Sequence, residues 1–181
     1  MGEIGEHFRD VKEHRKQQEQ ITPPSQRCYD WIIVMGSHYA KDRSWFKEYY
    51  PINANVGGSL AIGIGTVELE VKHSPQDQST HTLVLEDVLH VPEAISNAFS
   101  PMLTGCNQSW VRGGTQGTDA AGQPLWYGTE FCGLSRLALA EVPQGESELE
   151  RLSRDGTHFM LSLYLTEEQQ RNISEQLRGS N

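Results

Sequence analysis

A chain of 181 residues, 36% hydrophobic and 22% charged, is long enough for one domain with a sizeable core and short extensions, and its composition, though somewhat polar for a globular protein, is not that of a disordered chain. Its 24 acidic and 15 basic residues give a net charge of −9. With its few cations unclustered, the chain repels phosphate backbones, which excludes nucleic acid as an expected partner. Three widely spaced cysteines, Cys28, Cys106 and Cys132, exclude a disulfide framework and a paired Cys-x-x-Cys metal motif.

Residues 1–20 are rich in the helix formers Glu, Lys, Arg and Gln, and Ile4, Phe8 and Val11 make a narrow apolar stripe at helical spacing. Such a stripe can dock on a domain or a partner but cannot fold alone. The segment lacks the apolar run of a signal peptide, and Glu6 stands where a myristoylation pattern needs Ser or Thr. No apolar run reaches the roughly 18 residues of a membrane span. The expected setting is cytoplasmic, with no membrane partner. The adjacent prolines of ITPPSQR, at 21–27, end the helix. The chain therefore divides into a polar helical extension with a Pro linker (1–28), a β-rich domain (29–165) and a C-terminal helix (166–181).

In the β-rich part, the short continuous apolar run at 31–34, WIIV, predicts a buried strand. Residues 60–73 place Ala61, Val67, Leu69 and Val71 on one parity and Ile62 and Ile64 on the other, with a bulge or bend expected at Gly65-Thr66. Residues 81–91 put Leu83, Leu85, Leu89 and Val91 on one face, and Pro92 ends the strand. Short strands follow near 109–112, 124–128 and 134–142, around a glycine-rich stretch, 112–123, that reads as a flexible loop. In THFMLSLYL, at 157–165, Phe159, Leu161, Leu163 and Leu165 alternate with His158, Met160, Ser162 and Tyr164, the pattern of a last strand. Thr166 and Gln169 then form a capping-box pattern at a helix start. Many short strands with glycine corners predict a small all-β barrel with helical extensions at both ends.

Two segments carry a specific resemblance. DWIIVMGSHYAKDRSWF, at 30–46, resembles the opening of copia-type retrotransposon protease domains: Trp, two apolar residues, Asp-Ser-Gly, a small-residue stretch, His, then Asp-Arg-Ser and an aromatic. LEDVLHVPEAISNAFSPMLTG, at 85–105, resembles the downstream strand and turn of the same family, and GIGTVEL at 63–69 lies between them. The likeness runs in consistent order over about residues 29–142. It is strongest to degenerate fungal members with an HxAxDRxWF opening. The resemblance implies a retropepsin-like acid-protease β-barrel and a homodimer.

An aspartic protease needs two carboxylates about 3 Å apart sharing one proton. In the resembled family each subunit supplies one, on an Asp-Ser/Thr-Gly turn. Here the aligned triplet is Val34-Met35-Gly36, and two residues are missing before His38 relative to the family pattern. Valine does not titrate. Asp30 lies on the far side of its strand, and neither Asp119 nor Asp155 leads an Asp-Ser/Thr-Gly turn.

Two readings cover the remaining chemistry of the opening. His38 as a general base oriented by Asp42, with Tyr39 beside it, is one. The other has Asp42 and Arg43 bracing the loop with Trp45 and Phe46 in the core, and the spacing favours it. His90 reads as a hydrogen-bonded structural histidine. His73, His81 and His158 show no ligand spacing, so neither a metal nor a cofactor is expected. Gly63 and Gly65 lie inside a strand with no helix after them, which excludes a dinucleotide loop. Val34 and Met35, with Trp110 and Trp126 beside glycine-rich loops, are the candidate lining of a binding cleft.

Two functions follow from these residues. The first is a catalytically dead protease-like domain adopted by the host for binding, as a homodimer or with a protein partner. The second is a repurposed enzyme of cyclase or isomerase type that uses the old peptide cleft for an apolar small molecule, with His38, Asp42 and Tyr39 as its catalytic residues.

Overall fold

The computed structural model describes residues 27–141 and 145–179. The N-terminal helix expected over residues 1–20 lies outside them. Ten strands form one sheet: β1 (Trp31–Ile33), β2 (Tyr39–Ala40), β3 (Phe46–Val56), β4 (Ser59–Lys72), β5 (Thr80–His90), β6 (Asn97–Phe99), β7 (Asn107–Val111), β8 (Gly114–Thr118), β9 (Pro124–Phe131) and β10 (Leu134–Leu137). Their order is β3-β4-β5-β2-β6-β1-β10-β9-β8-β7. The sheet curls back on itself where the end of β4 meets the chain after β10. There the Lys72 amide donates to the Ala138 carbonyl (3.1 Å), the Ala140 amide donates to the Glu70 carbonyl (2.8 Å), and Val71 bridges Leu139. The fold is all-β and barrel-like.

β1 reads as a continuous apolar run because both of its faces are buried. It lies between β6, parallel, and β10, antiparallel. Trp31 points into the barrel interior with Trp45, Phe46, Val67, Leu69, Phe99 and Trp126. Ile32 and Val34 point the other way, into a second core with Tyr39, Ile64, Leu89 and Ala98. Trp31 and Trp126 are completely buried. Each removes on the order of 150–250 Å² from water, worth about 4–6 kcal/mol against full exposure. Asp30, at the foot of β1, is buried and held by Arg136 at 2.9 Å.

The β3–β4 hairpin turns through Gly57 and Gly58, both with positive φ (59° and 85°), the geometry a two-residue turn between twisted strands requires. The register of β4 on β5 shifts between Gly65 and Val67, where the bulge was expected. The extra residue sits on β5, and Asp87 there takes a φ of 52°. That bulge corrects the single face expected for β5: Leu83, Leu85 and Val88 face the barrel interior, while Leu89 and Val91 face the second core. Likewise Ala61 and Ile64, expected on opposite parities, share the second core.

Three further expectations change. Part of the glycine-rich stretch forms β8, because Gly114–Thr118 finds ladder partners on both sides in β7 and β9. A short helix α1 (Glu148–Arg154) opens with a capping box between Ser147 and Glu150. The alternating segment 157–165 largely keeps its alternation of half-buried and exposed side chains but has no regular secondary structure and belongs to none of the ten strands. The ladder therefore ends near residue 140, well before the boundary expected at 165, and the remainder is α1, a strap and α2 (Glu167–Gly179).

Thr166 and Gln169 cap α2 reciprocally, at 2.8 and 3.2 Å. The helix lies along β3, where the Gln176 side chain accepts from the Asn53 amide (2.8 Å) and donates to its carbonyl (3.0 Å). Gln169 donates to the Asn55 carbonyl at 2.6 Å. Glutamines thus satisfy the backbone of that sheet edge, which would otherwise invite another strand. At the opposite edge, every residue of β7 is exposed.

Candidate functional site

The turn that follows β1 is Val34-Met35-Gly36-Ser37. The Val34 amide donates to the Phe99 carbonyl at 2.9 Å, and its side chain is nearly buried in the second core. Met35 projects outward, 49% exposed. Gly36 has a φ of 103°, and a Cβ there would collide with the Leu163 carbonyl oxygen. A side chain at position 36 is therefore excluded twice, by backbone conformation and by space.

Each residue weighed as a catalyst is engaged elsewhere. His38 is buried, its ring stacked on Phe99 with centroids 5.8 Å apart. Its Nδ1 accepts from the Ser100 amide at 3.0 Å, and burial pulls its pKa from 6.5 to about 4. It is a neutral structural histidine at ordinary pH. Asp42 does not orient it: the Asp42 carboxylate accepts from the Cys28 amide at 2.8 Å. The Tyr39 hydroxyl donates to the Leu161 carbonyl at 2.6 Å, and burial pushes its pKa well above the usual phenol value. Tyr39 belongs to the second core, whereas His38 stacks on Phe99 of the barrel interior, so they face opposite sides of the sheet.

The loop after β2 is braced much as its alternative reading expected. Arg43 lies over the Tyr49 ring at 4.0 Å and donates to the Phe46 carbonyl (3.3 Å), and Trp45 and Phe46 are buried. His90 Nδ1 lies 2.9 Å from the Tyr49 hydroxyl, and burial lowers its pKa. Of the aspartates considered as replacements, Asp30 is paired with Arg136, Asp119 closes a turn on the Ala121 and Gln123 amides, and Asp155 ends α1. The β4–β5 register stacks His73 on His81, with centroids 4.5 Å apart, a pairing invisible in sequence spacing. Among the described residues no cluster of three or more His, Cys, Asp or Glu is arranged to hold a metal.

The candidate lining residues separate. Val34, Met35 and Trp110 come together on a groove of about 600 Å³, with Val111, Leu134 and Ser162. Trp126, expected to join them, is instead completely buried, edge-on to Phe99 at 5.1 Å in the barrel interior. Its glycine-rich neighbour accounts for this: a Cβ on Gly117 would occupy the space of the indole. Trp110, by contrast, stands 81% exposed on β7, the edge strand of the described sheet. A second groove of about 530 Å³ lies on the other side of the turn, lined by Gly36, Ser37, Ile64, Leu103, Tyr164 and Ile173 among others.

Sequence reasoning missed the residues that separate these grooves. The strap, residues 157–166, crosses the turn: the Ser37 amide donates to the Leu163 carbonyl (2.7 Å) and the Met35 amide to the Ser162 hydroxyl (3.3 Å). The Leu163 side chain reaches the Gly57 turn of the β3–β4 hairpin. The strap's alternation was legible, but the same alternation serves a strand or a lone segment outside the sheet.

Comparison with known proteins adds one match. Residues 35–104 match the family of the Pol polyprotein β-barrel domain. That segment begins in the turn and includes β2 to β6, and the match supports a retrotransposon Pol-derived domain. Comparisons with curated proteins and with solved structures give no significant match. Among the described residues no helix is long and apolar enough to cross a membrane.

Proposed function

We propose that this chain is a retrotransposon Pol-derived domain retained by its host as a non-catalytic binding module, and that the groove beside Val34 and Met35 takes an extended apolar segment of a protein partner. The observation that carries this reading is the composition of the turn and its surroundings. Val34 and Met35 occupy the positions that the copia-type pattern gives to Asp and Ser, and Glu130 is the one ionisable residue lining the groove. The aspartic-protease mechanism needs a pair of carboxylates, and neither valine nor methionine titrates. What the groove offers is apolar surface, Met35, Trp110 and Val111, next to β7, which is an edge strand among the described residues. That combination suits β-strand addition: backbone bonds hold the segment and pockets select alternate side chains. Exposed tryptophans are also frequent anchors of binding energy.

The reading as a small-molecule cyclase or isomerase has less support. Its catalytic residues His38, Asp42 and Tyr39 line neither groove and are all engaged in structural hydrogen bonds. A displayed peptide library panned on the whole chain tests the proposal. Extended peptides with alternating apolar residues should be enriched, and Trp110→Ala should lose them while the peptides stay intact. Enrichment of no sequence class, or peptides cleaved on contact, would contradict it. Equal recovery with Trp110→Ala would move the binding site elsewhere.

A further inference from the structure

We infer that the strap, residues 157–166, is a built-in ligand of the turn: an exchangeable peptide that occupies the cleft between Val34–Ser37 and the β3–β4 hairpin and must leave before a partner segment can fill it. The inference deepens the binding reading above.

The strap is held as a bound peptide is held. It belongs to no strand of the sheet and has no regular secondary structure, and it meets the turn through one backbone bond, Ser37 amide to Leu163 carbonyl, and one from the Met35 amide to the Ser162 hydroxyl. The Ser37 amide takes the Leu163 carbonyl and the Tyr39 hydroxyl takes the Leu161 carbonyl, two residues apart, so alternate carbonyls face the barrel. The side chains of Phe159, Leu161, Leu163 and Leu165 pack on the second core, while Met160 and Tyr164 are left 96% and 62% exposed. That is the period-2 division of a segment lying on an apolar surface.

The strap also divides what would otherwise be one depression. Ser162 lines the groove on the Met35 side, and Tyr164 and Leu165 line the groove on the Ser37 side. Without the strap, the two grooves join across Gly36, whose lack of a side chain is what lets the Leu163 carbonyl approach.

The helices that flank the strap are anchored by buried side chains, whereas the strap itself is held by three hydrogen bonds at Leu161, Ser162 and Leu163. Leu149 of α1 and Ile173 of α2 are buried in the second core, and both helices are capped. Between them, Leu161, Ser162 and Leu163 are each only partly buried. The strap is therefore the part that can lift while the helices stay docked, the low-stability kind of segment from which gating elements are drawn. A ligand that fits this cleft has the strap's own chemistry: an extended peptide with apolar side chains at alternate positions and carbonyls offered to Ser37 and Tyr39.

The test uses the full chain and a fluorescein-labelled synthetic peptide with the sequence of residues 157–166. Releasing the resident strap with Leu161→Asp/Leu163→Asp removes an intramolecular competitor, so the folded variant should bind the peptide at least about tenfold more tightly than the unaltered chain. A folded variant that binds no better overturns the inference, and so does equal binding to both, which would mark pairing on β7 instead. Should that variant fail to fold, hydrogen exchange on the unaltered chain decides. The Ser37 amide should exchange at least about tenfold faster than the Leu89 amide, which is held by the His38 carbonyl. Equal rates would mean that the strap opens only with the whole barrel, which overturns it. Retained gain with the strap peptide alongside an inert Trp110→Ala would contradict the binding reading of the Trp110 groove and keep this one.

Discussion

On one face of β1, Trp31 packs with Trp126 and Phe99 inside a sheet that closes on itself. On the other face, Ile32 and Val34 pack beneath Leu149, Ile173 and the strap leucines, which arrive from the far end of the chain. The first core is enclosed mainly by hydrogen-bonded strands. The second is covered by two short helices and the strap with its few hydrogen bonds. The Val34–Ser37 turn sits at the seam, with its outer side under the less firmly closed layer. Stability and accessibility are therefore assigned to opposite faces of one three-residue strand.

The largest effect should come from the inner core. Trp126→Ala should cost about 3–5 kcal/mol in a urea melt, while Leu163→Ala, half-buried in the outer layer, should cost about 1–2 kcal/mol. Equal costs would mean that the two layers form one core. Next, Arg136→Met leaves the buried Asp30 carboxylate unpaired and should cost about 3 kcal/mol. An unchanged melt would show that the pair does not hold the foot of β1.

His38 gives the inner core a pH dependence. Its folded pKa lies near 4, below the ordinary 6.5, so the unfolded chain takes up the proton first. The stability associated with neutral His38 is complete above about pH 6.5 and is lost as pH falls toward 4, by up to about 2–3 kcal/mol. Melts between pH 7 and 4 should show this slope, and His38→Asn should flatten it. The smallest effect belongs to the strap: Tyr39→Phe removes the hydroxyl that donates to the Leu161 carbonyl and should cost about 1 kcal/mol. It should also speed exchange of the Ser37 amide without touching the Leu89 amide, which would sharpen the distinction between the layers.

Much of the fold was legible because its signals are local. The WIIV run, the Gly65-Thr66 bulge, the Val67, Leu69 and Val71 face of β4 and the Thr166–Gln169 cap all reside in a few neighbouring residues. The faces of β5 were not legible, since one bulge at Asp87 moves Leu89 and Val91 to the other side of the sheet. Nor was β8, whose glycines read as a loop until β7 and β9 supply partners. At the site, Val34, Met35 and Trp110 were named from the sequence and lie together on one groove. The burial of Trp126 depends on Gly117 across the ladder, a contact no spacing rule reveals. The strap's alternation was recognised but misassigned as a strand, because its partners are a turn and a hydroxyl rather than a neighbouring strand.

The binding claim is tested most directly by calorimetry with an extended peptide of alternating apolar residues, titrated into the full chain and into Trp110→Ala, with the peptide's mass checked afterwards. The account predicts saturable one-to-one binding, a loss of about tenfold or more in the variant, roughly 1.4 kcal/mol, and an intact peptide. Absence of binding, equal affinity in the two proteins, or a cleaved peptide would contradict it.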